Sequence, residues 1–162
     1  ATGAEVSRPY LLAQLAEACM SDGQIEAGFG ALEEALETTE NHTERFYEAE
    51  LHRLQGELLL RTLVGTTGLS SQQMQAEACF QGALDIARQQ GAKSLELRAA
   101  MSLSRLWQQQ GKHTEALQLL AAVYDWFTEG FDTADLQEAR ALLDVLRGSN
   151  WRGKLAARRS VL

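Results

Sequence analysis

Apolar residues recur along this chain at steps of three and four, the spacing that gathers them on one face of an α-helix. A first helix opens at Ser7 and Pro9, a capping hydroxyl followed by a residue with no amide to lose, and carries Leu12, Leu15, Ala16 and Cys19. Ser21-Asp22-Gly23 stops it. A second helix starts at Gln24 with Ile25, Gly28, Leu32, Ala35 and Leu36 inward, and Asn41, His42 and Thr43 mark the turn after it. The third, from about Glu44 to Leu63, takes its register from Tyr47, Leu51, Leu54 and Leu58. Val64 to Ser70, with two glycines and three hydroxyl residues, reads as a loop and the most flexible interior segment.

From Ser71 to Gln90 a fourth helix presents Ala76, Cys79, Phe80, Ala83, Leu84, Ile86 and Ala87, with Gly91 placed as its left-handed terminator. A fifth and a sixth fold back at Gly111, the one on Leu97, Ala100, Leu103, Ser104 and Trp107, the other on Ala116, Leu119, Leu120, Val123 and Tyr124. Asp132 or Thr133 caps a seventh whose inner face is Leu136, Ala139, Leu143 and Leu146, and Gly148-Ser149-Asn150 ends it. Trp151 to Leu162 is short, basic and weakly patterned, and reads as a frayed helix, an arm or disorder. One proline and an abundance of Ala, Leu, Glu and Gln agree with an all-α chain.

The pattern repeats. Setting Gly23-Gln24-Ile25-Glu26-Ala27-Gly28 against Gly111-Lys112-His113-Thr114-Glu115-Ala116 places Leu15 over Leu103, Leu32 over Leu120 and Ala35 over Val123. A middle unit joins through Ala76, Phe80 and Ala83, which take the places of Gly28, Leu32 and Ala35, while Leu51, Leu54 and Leu58 match Leu12, Leu15 and Cys19. Small, large, then small at these intervals is what closely crossing helices require. The units fall at about 8–40, 44–90 and 93–128, with a capping helix at about 132–147 and a basic tail at 148–162.

These hairpins resemble the tetratricopeptide repeat, which implies a right-handed superhelix of about three degenerate hairpins closed by a C-terminal capping helix. The spacing departs from that family: Ala35 to Ala83 is 48 residues and Ala83 to Val123 is 40, against about 34 in the usual repeat. The late proline is absent. The segments FYEAELHRLQGELLL, AEACFQGALDIARQQGAKSLELRAAMSLSRLWQQQGK and VYDWFTEGFDTADLQEARALL, covering most of residues 45 to 146, are similar to the C-terminal repeat region of bacterial multidomain signalling proteins. In those proteins a class III nucleotide cyclase or a DNA-binding module is joined to a STAND-type ATPase and then to helical repeats. The likeness implies a sensory or regulatory part that binds a protein or ligand. No Walker phosphate loop or cyclase-like segment stands in this chain, so neither activity is carried over.

In the repeat family the first helix of each pair lines the concave face, and that resemblance places Tyr10, Ala13, Glu17, Met20, His52, Gly56, Arg98, Met101, Arg105, Gln108 and Gln109 along a ligand groove. Arg98 and Arg105, seven residues apart, share a helix face. Either they clamp a carboxylate or acidic peptide, or they pair with acids of the neighbouring repeat.

Charge narrows the partners. The formal net charge is −7, yet Arg147, Arg152, Lys154, Arg158 and Arg159 fall together at the end, leaving a body of 10 basic against 22 acidic residues. Such a body repels phosphate backbones, so direct nucleic-acid binding by the repeats is not expected. The tail supports an alternative in which Trp151 and its basic neighbours dock on an acidic neighbouring subunit, making the chain a structural self-association module.

Candidate chemistry is thin. His42, His52 and His113 keep no metal-ligand spacing, Cys19 and Cys79 sit in helical apolar patterns, and the pairs Glu33-Glu34 and Glu48-Glu50 read as solvated helix surface. Trp107, Trp126 and Phe127 are assigned to packing. The expectation is a protein that is not an enzyme, with no cofactor and no metal. No apolar run reaches the roughly 20 residues that span a bilayer and no signal peptide is visible, giving a cytoplasmic expectation. The opening Ala1-Thr2-Gly3-Ala4, without Met, fits a fragment of a longer protein, a processed chain or a cloning choice alike.

Overall fold

The computed structural model describes residues 8–40, 45–62 and 69–159, with side chains described at 8–39, 45–62 and 71–148. Among the described residues there are seven α-helices: α1 (Arg8–Ser21), α2 (Ile25–Glu40), α3 (Glu48–Arg61), α4 (Leu69–Gln89), α5 (Lys93–Gln109), α6 (His113–Tyr124) and α7 (Ala134–Arg159). The described residues are thus all-α, and none of their helices is long and apolar enough to cross a membrane.

Three helices end the same way. Gly23, Gly91 and Gly111 adopt φ of 75°, 66° and 79°, a region open to glycine because it lacks a Cβ. That twist lets the next amide reach back to the carbonyl five residues earlier: Gln24 to Cys19 at 2.8 Å, Ala92 to Ala87 at 2.9 Å and Lys112 to Trp107 at 2.8 Å. Each is a Schellman closure, and each turns the chain sharply into the following helix.

Packing follows chain order with one regularity. Every helix touches the next; α1, α3, α5 and α7 also touch in succession, whereas among the described residues no two of α2, α4 and α6 meet. The odd helices therefore form a continuous row, and the even helices lie against it. One cluster joins α1, α2 and α3 through Ala13, Ala16, Met20, Ala31, Leu32, Ala35, Leu51, Leu54 and Leu58. A second runs from Phe80 of α4 through Leu97, Leu103 and Leu106 of α5 to Leu120 of α6 and Leu143 of α7. Helix α5, with neighbours α3, α4, α6 and α7, is buried at every residue from Leu95 to Ser104 except Arg98.

Close approach depends on small residues at the crossings. A Cβ on Gly28 would lie 3.1 Å from Leu58 Cδ2 and 3.7 Å from the Ala16 carbonyl oxygen. At Gly56 the fit is tighter still, because a Cβ there would stand 2.5 Å from Cε1 of Phe80, which is itself fully buried.

Several boundaries and one register differ from the sequence reading. In α1, Leu15 is exposed and Leu12 half-buried, while Ala13, Ala16, Cys19 and Met20 are buried. Small side chains are what α1 needs where it crosses α2 and α3, so the bulkier leucines lose the inward positions. Helix α3 starts at Glu48, after a turn at Phe46-Tyr47, and α4 starts at Leu69, two residues before Ser71. Helix α7 does not end at Gly148: its backbone continues to Arg159. Glycine in a helix interior costs only about 1 kcal/mol relative to alanine, and Gly148 is not among the glycines with positive φ. Ser7, the turn at 41–43, most of the expected loop at 64–70 and the side chain of Trp151 lie outside the described residues.

Gly56→Ala drives a methyl group into the Phe80 ring and is expected to cost about 2 kcal/mol in urea unfolding, overpacking outweighing the gain in helix propensity. Phe80→Leu should cost less in the Gly56→Ala background than in the wild-type chain, and equal costs in both would show that the two residues do not share this contact.

Candidate functional site

The row of odd helices carries a line of charged side chains that the hydrophobic stripes do not account for. Glu50, Arg53 and Glu57 of α3 stand three and four residues apart, so they share one face, and Arg98, Ser102 and Arg105 do the same on α5. Where α3 meets α5 these two faces meet.

Glu50 is the centre, only 1% exposed. Its carboxylate accepts two bonds from Arg53, from Nη2 at 2.7 Å and from Nε at 3.0 Å, and a third from Arg98 Nη1 at 2.7 Å. Arg53 also donates to Glu17 of α1 at 3.2 Å and pairs with Glu57 at 3.6 Å, while Ser102 donates to Glu57 at 2.6 Å. Arg98 Nε reaches Asp135 of α7 at 3.4 Å, and farther along Arg105 pairs with Glu138 at 2.6 Å. Burial by itself would favour loss of the Arg53 proton, but the hydrogen bond and charge of Glu50, with Glu57 and Glu17, outweigh it and push its pKa above the ordinary value. The guanidinium stays charged. One network thus links α1, α3, α5 and α7.

Around it the surface is shallow. A depression of about 290 Å³ lies beside Arg53, lined by Glu17, Met20, Ser21, Leu54, Glu57 and Arg61. Arg61 closes one side by donating to the Met20 carbonyl at 2.9 Å. At the end of the row where α1 and α3 begin, Tyr10 meets Tyr47 edge to face at 5.2 Å between ring centroids. Burial, then the nearby Glu50 charge, push the Tyr47 phenol up, so it stays neutral.

The groove residues expected from the repeat resemblance divide. Glu17, Arg98 and Arg105 belong to the charged row, Tyr10 is exposed at its end, His52 and Gln108 are half-buried, and Gln109 is exposed. Met20 and Met101 are 6% and 3% exposed, and Ala13 and Gly56 are buried as well. Their side chains serve the crossings between helices, which is why they do not face a groove. The acids that Arg98 and Arg105 were expected to meet in a neighbouring unit are present, as Glu50, Asp135 and Glu138.

Sequence reasoning missed Glu50, Arg53, Glu57 and Ser102. Glu50 does not belong to a solvated face, as its pairing with Glu48 implied. Register alone gave no signal: the matching positions are Ala99, which is core, and Leu11, which is exposed. Trp126, assigned to packing, is 58% exposed and lies under Lys93 Nζ, 5.3 Å from its ring centroid.

Two carboxylates on the even-helix side tie elements together. Glu77 of α4 accepts from Trp107 Nε1 at 2.7 Å, from Gln110 at 3.4 Å and from Lys112 at 3.4 Å. Glu96 of α5 accepts from Lys93 at 2.7 Å and from Arg88 at 3.0 Å. Burial acts to raise both carboxyls, yet these donors more than offset it and leave each below the ordinary 4.5. Among the described residues no group of His, Cys, Asp or Glu is arranged to hold a metal ion, and Cys19 and Cys79 are free thiols.

Glu50→Ala leaves Arg53 buried without its main partner and is expected to cost about 3 kcal/mol of folding stability, read by urea unfolding. A depressed carboxyl stabilises the fold above its unfolded pKa and loses that contribution as pH falls through its folded value. Stability should therefore drop below about pH 4.5, and Glu96→Gln should flatten that acid limb; an unchanged slope would place the linkage elsewhere. Comparison with protein-family models, curated proteins and solved structures finds no match to this chain.

Proposed function

We propose that this chain is a non-catalytic interaction module that binds a protein or peptide along its odd-helix row. In this reading its helix pairs are degenerate tetratricopeptide-like hairpins in a right-handed superhelix, and the module is the sensory or regulatory part of a cytoplasmic bacterial signalling ATPase, cyclase or transcriptional regulator. The support for the superhelix is the contact pattern: odd helices that touch in succession and even helices that do not form an inner and a wider outer layer.

The observation that carries the binding reading is the charged row itself. Its side chains are already fixed by one another, so a ligand meets groups whose ordering cost has been met in advance. Its members are not equally open to a ligand. Glu50 is buried between Arg53 and Arg98 and cannot be displaced cheaply. Arg105 and Glu138 are both solvent-accessible, and a pair of that kind holds together by less than about 1 kcal/mol. A ligand carboxylate that replaces Glu138 on Arg105 gains a charged partner at little cost, so the favoured ligand is an acidic peptide entering at α5 and α7.

Short acidic, basic and neutral peptides titrated against the labelled chain test this by amide chemical shifts. The expected changes fall on His52, Arg98, Arg105 and Gln108 with the acidic peptide; changes confined to outer positions such as Gln81, Gln118 and Ala122, or none with any peptide, sink the reading. Glu138→Gln should tighten the acidic peptide by freeing Arg105. Arg105→Ala should weaken it about threefold, equivalent to about 0.6 kcal/mol.

A further inference from the structure

Leu15, Leu54 and Leu103 occupy the same position in three successive units, and their surroundings differ. Leu54 and Leu103 are 1% and 0% exposed, because α2 covers α3 and α4 covers α5. Leu15 is 51% exposed, and among the described helices α1 touches only α2 and α3. The same holds for its neighbours on that face. Leu11 is 60% exposed where its counterparts Glu50 and Ala99 are each 1% exposed, and Ala18 is exposed where Leu106 is fully buried. The face of α1 that later units use for stacking is apolar and open.

This face also has an order of its own. Arg8, Leu11, Leu15, Ala18 and Asp22 follow one another at alternating steps of three and four residues, the spacing of a coiled-coil seam, and all five are exposed. Asp22 lies one residue beyond α1, but its amide still donates to Ala18 at 3.0 Å, so it stays on the helical path. The strip is positive at one end, negative at the other and apolar between. Laid against an identical strip in parallel, it would set Arg8 on Arg8 and Asp22 on Asp22. Laid antiparallel, it sets Arg8 against Asp22, Leu11 against the small Ala18 and Leu15 against itself. That is the arrangement a two-fold axis imposes.

We propose that the outward face of α1 is a homodimer interface, with a second copy of the chain packed antiparallel about a two-fold axis passing beside Leu15. Arg8 already pairs with Glu34 of its own chain, both half-exposed, and in the dimer it lies between Glu34 and Asp22 of the second copy. The strip is one helix face, smaller than the roughly 800 Å² per partner of a stable complex, so the dimer is reversible, with a Kd on the order of 100 µM.

Sedimentation velocity of the full chain, from about 10 µM to about 1 mM around that Kd, tests it. The wild-type chain should move toward twice its monomer mass with rising concentration. Leu15→Asp, at an exposed position, should stay monomeric with an unchanged circular dichroism spectrum. Asp22→Arg should weaken association at least about tenfold by setting two guanidinium groups against each other across the interface. The double variant Arg8→Asp, Asp22→Arg should regain it, its acid now at the start of α1 and its base at the end, where the helix dipole favours each. A wild-type chain that stays monomeric throughout overturns the proposal. So does a Leu15→Asp chain that dimerises like wild type, or a double variant no better than Asp22→Arg. Loss of the dimer on deleting residues 148–162, with Leu15→Asp unaffected, would assign association to the tail instead.

Discussion

The contact between Phe80 and Gly56 sets the distance between the two halves of this molecule. Gly56 has no side chain to hold α4 off, so the Phe80 ring lies directly on the backbone of α3. Gly28 does the same for Leu58 on the other side of α3. Helix α3 is thus approached closely from both flanks, by α2 and by α4, and each large side chain enters where a glycine stands. Dense packing of this kind leaves little room for adjustment, because a displaced ring has no free volume to enter. The positions of α5 and of the charged row follow from it.

Apolar contacts alone would hold α5 against α3 without fixing how far one slides along the other, since Ala and Leu faces are alike at successive turns. The buried carboxylate of Glu50 removes that freedom. It accepts from Arg53 on its own helix and from Arg98 on α5, and these bonds have short distances and fixed directions. Burying Glu50 and most of Arg53 is costly, and the charges are compensated: Arg53 by three carboxylates, the half-buried Arg98 by Glu50 and Asp135, Glu50 by both arginines. In the proposed reading, the groups that fix register also belong to the surface that a partner meets.

Much of this was legible in the sequence where one physical rule dominates. Tyr47, Leu51, Leu54 and Leu58 gave the register of α3 because no competing stripe exists, and Gly23, Gly91 and Gly111 marked helix ends because a left-handed residue is needed there. The register of α1 was misread because two stripes compete, one of leucines and one of alanines. Burial of the larger residues favours the first, while close crossing requires the second. The end of α7 was misread because a glycine permits a helix stop without enforcing one. Of the candidate site, Glu17, Arg98 and Arg105 were found through family resemblance and shared helix faces. Glu50 and Arg53 were not, since a charge on an inward position becomes tolerable only through partners far away in sequence, here Arg98, 48 residues on from Glu50, and Glu17, 36 residues back from Arg53.

The succession of helix contacts bears on how the chain reaches this state. Among the described residues each helix packs only on those one or two places away, so no contact between these helices waits for a long loop to close. Contact order of this kind goes with rapid folding and with nucleation at any adjacent pair. The pair joined by Phe80 and Gly56 lies in the interior, where structure can spread to either side. Opening is then expected to proceed from the ends, with the amide hydrogens of α1 and α7 exchanging before those of α3 and α4.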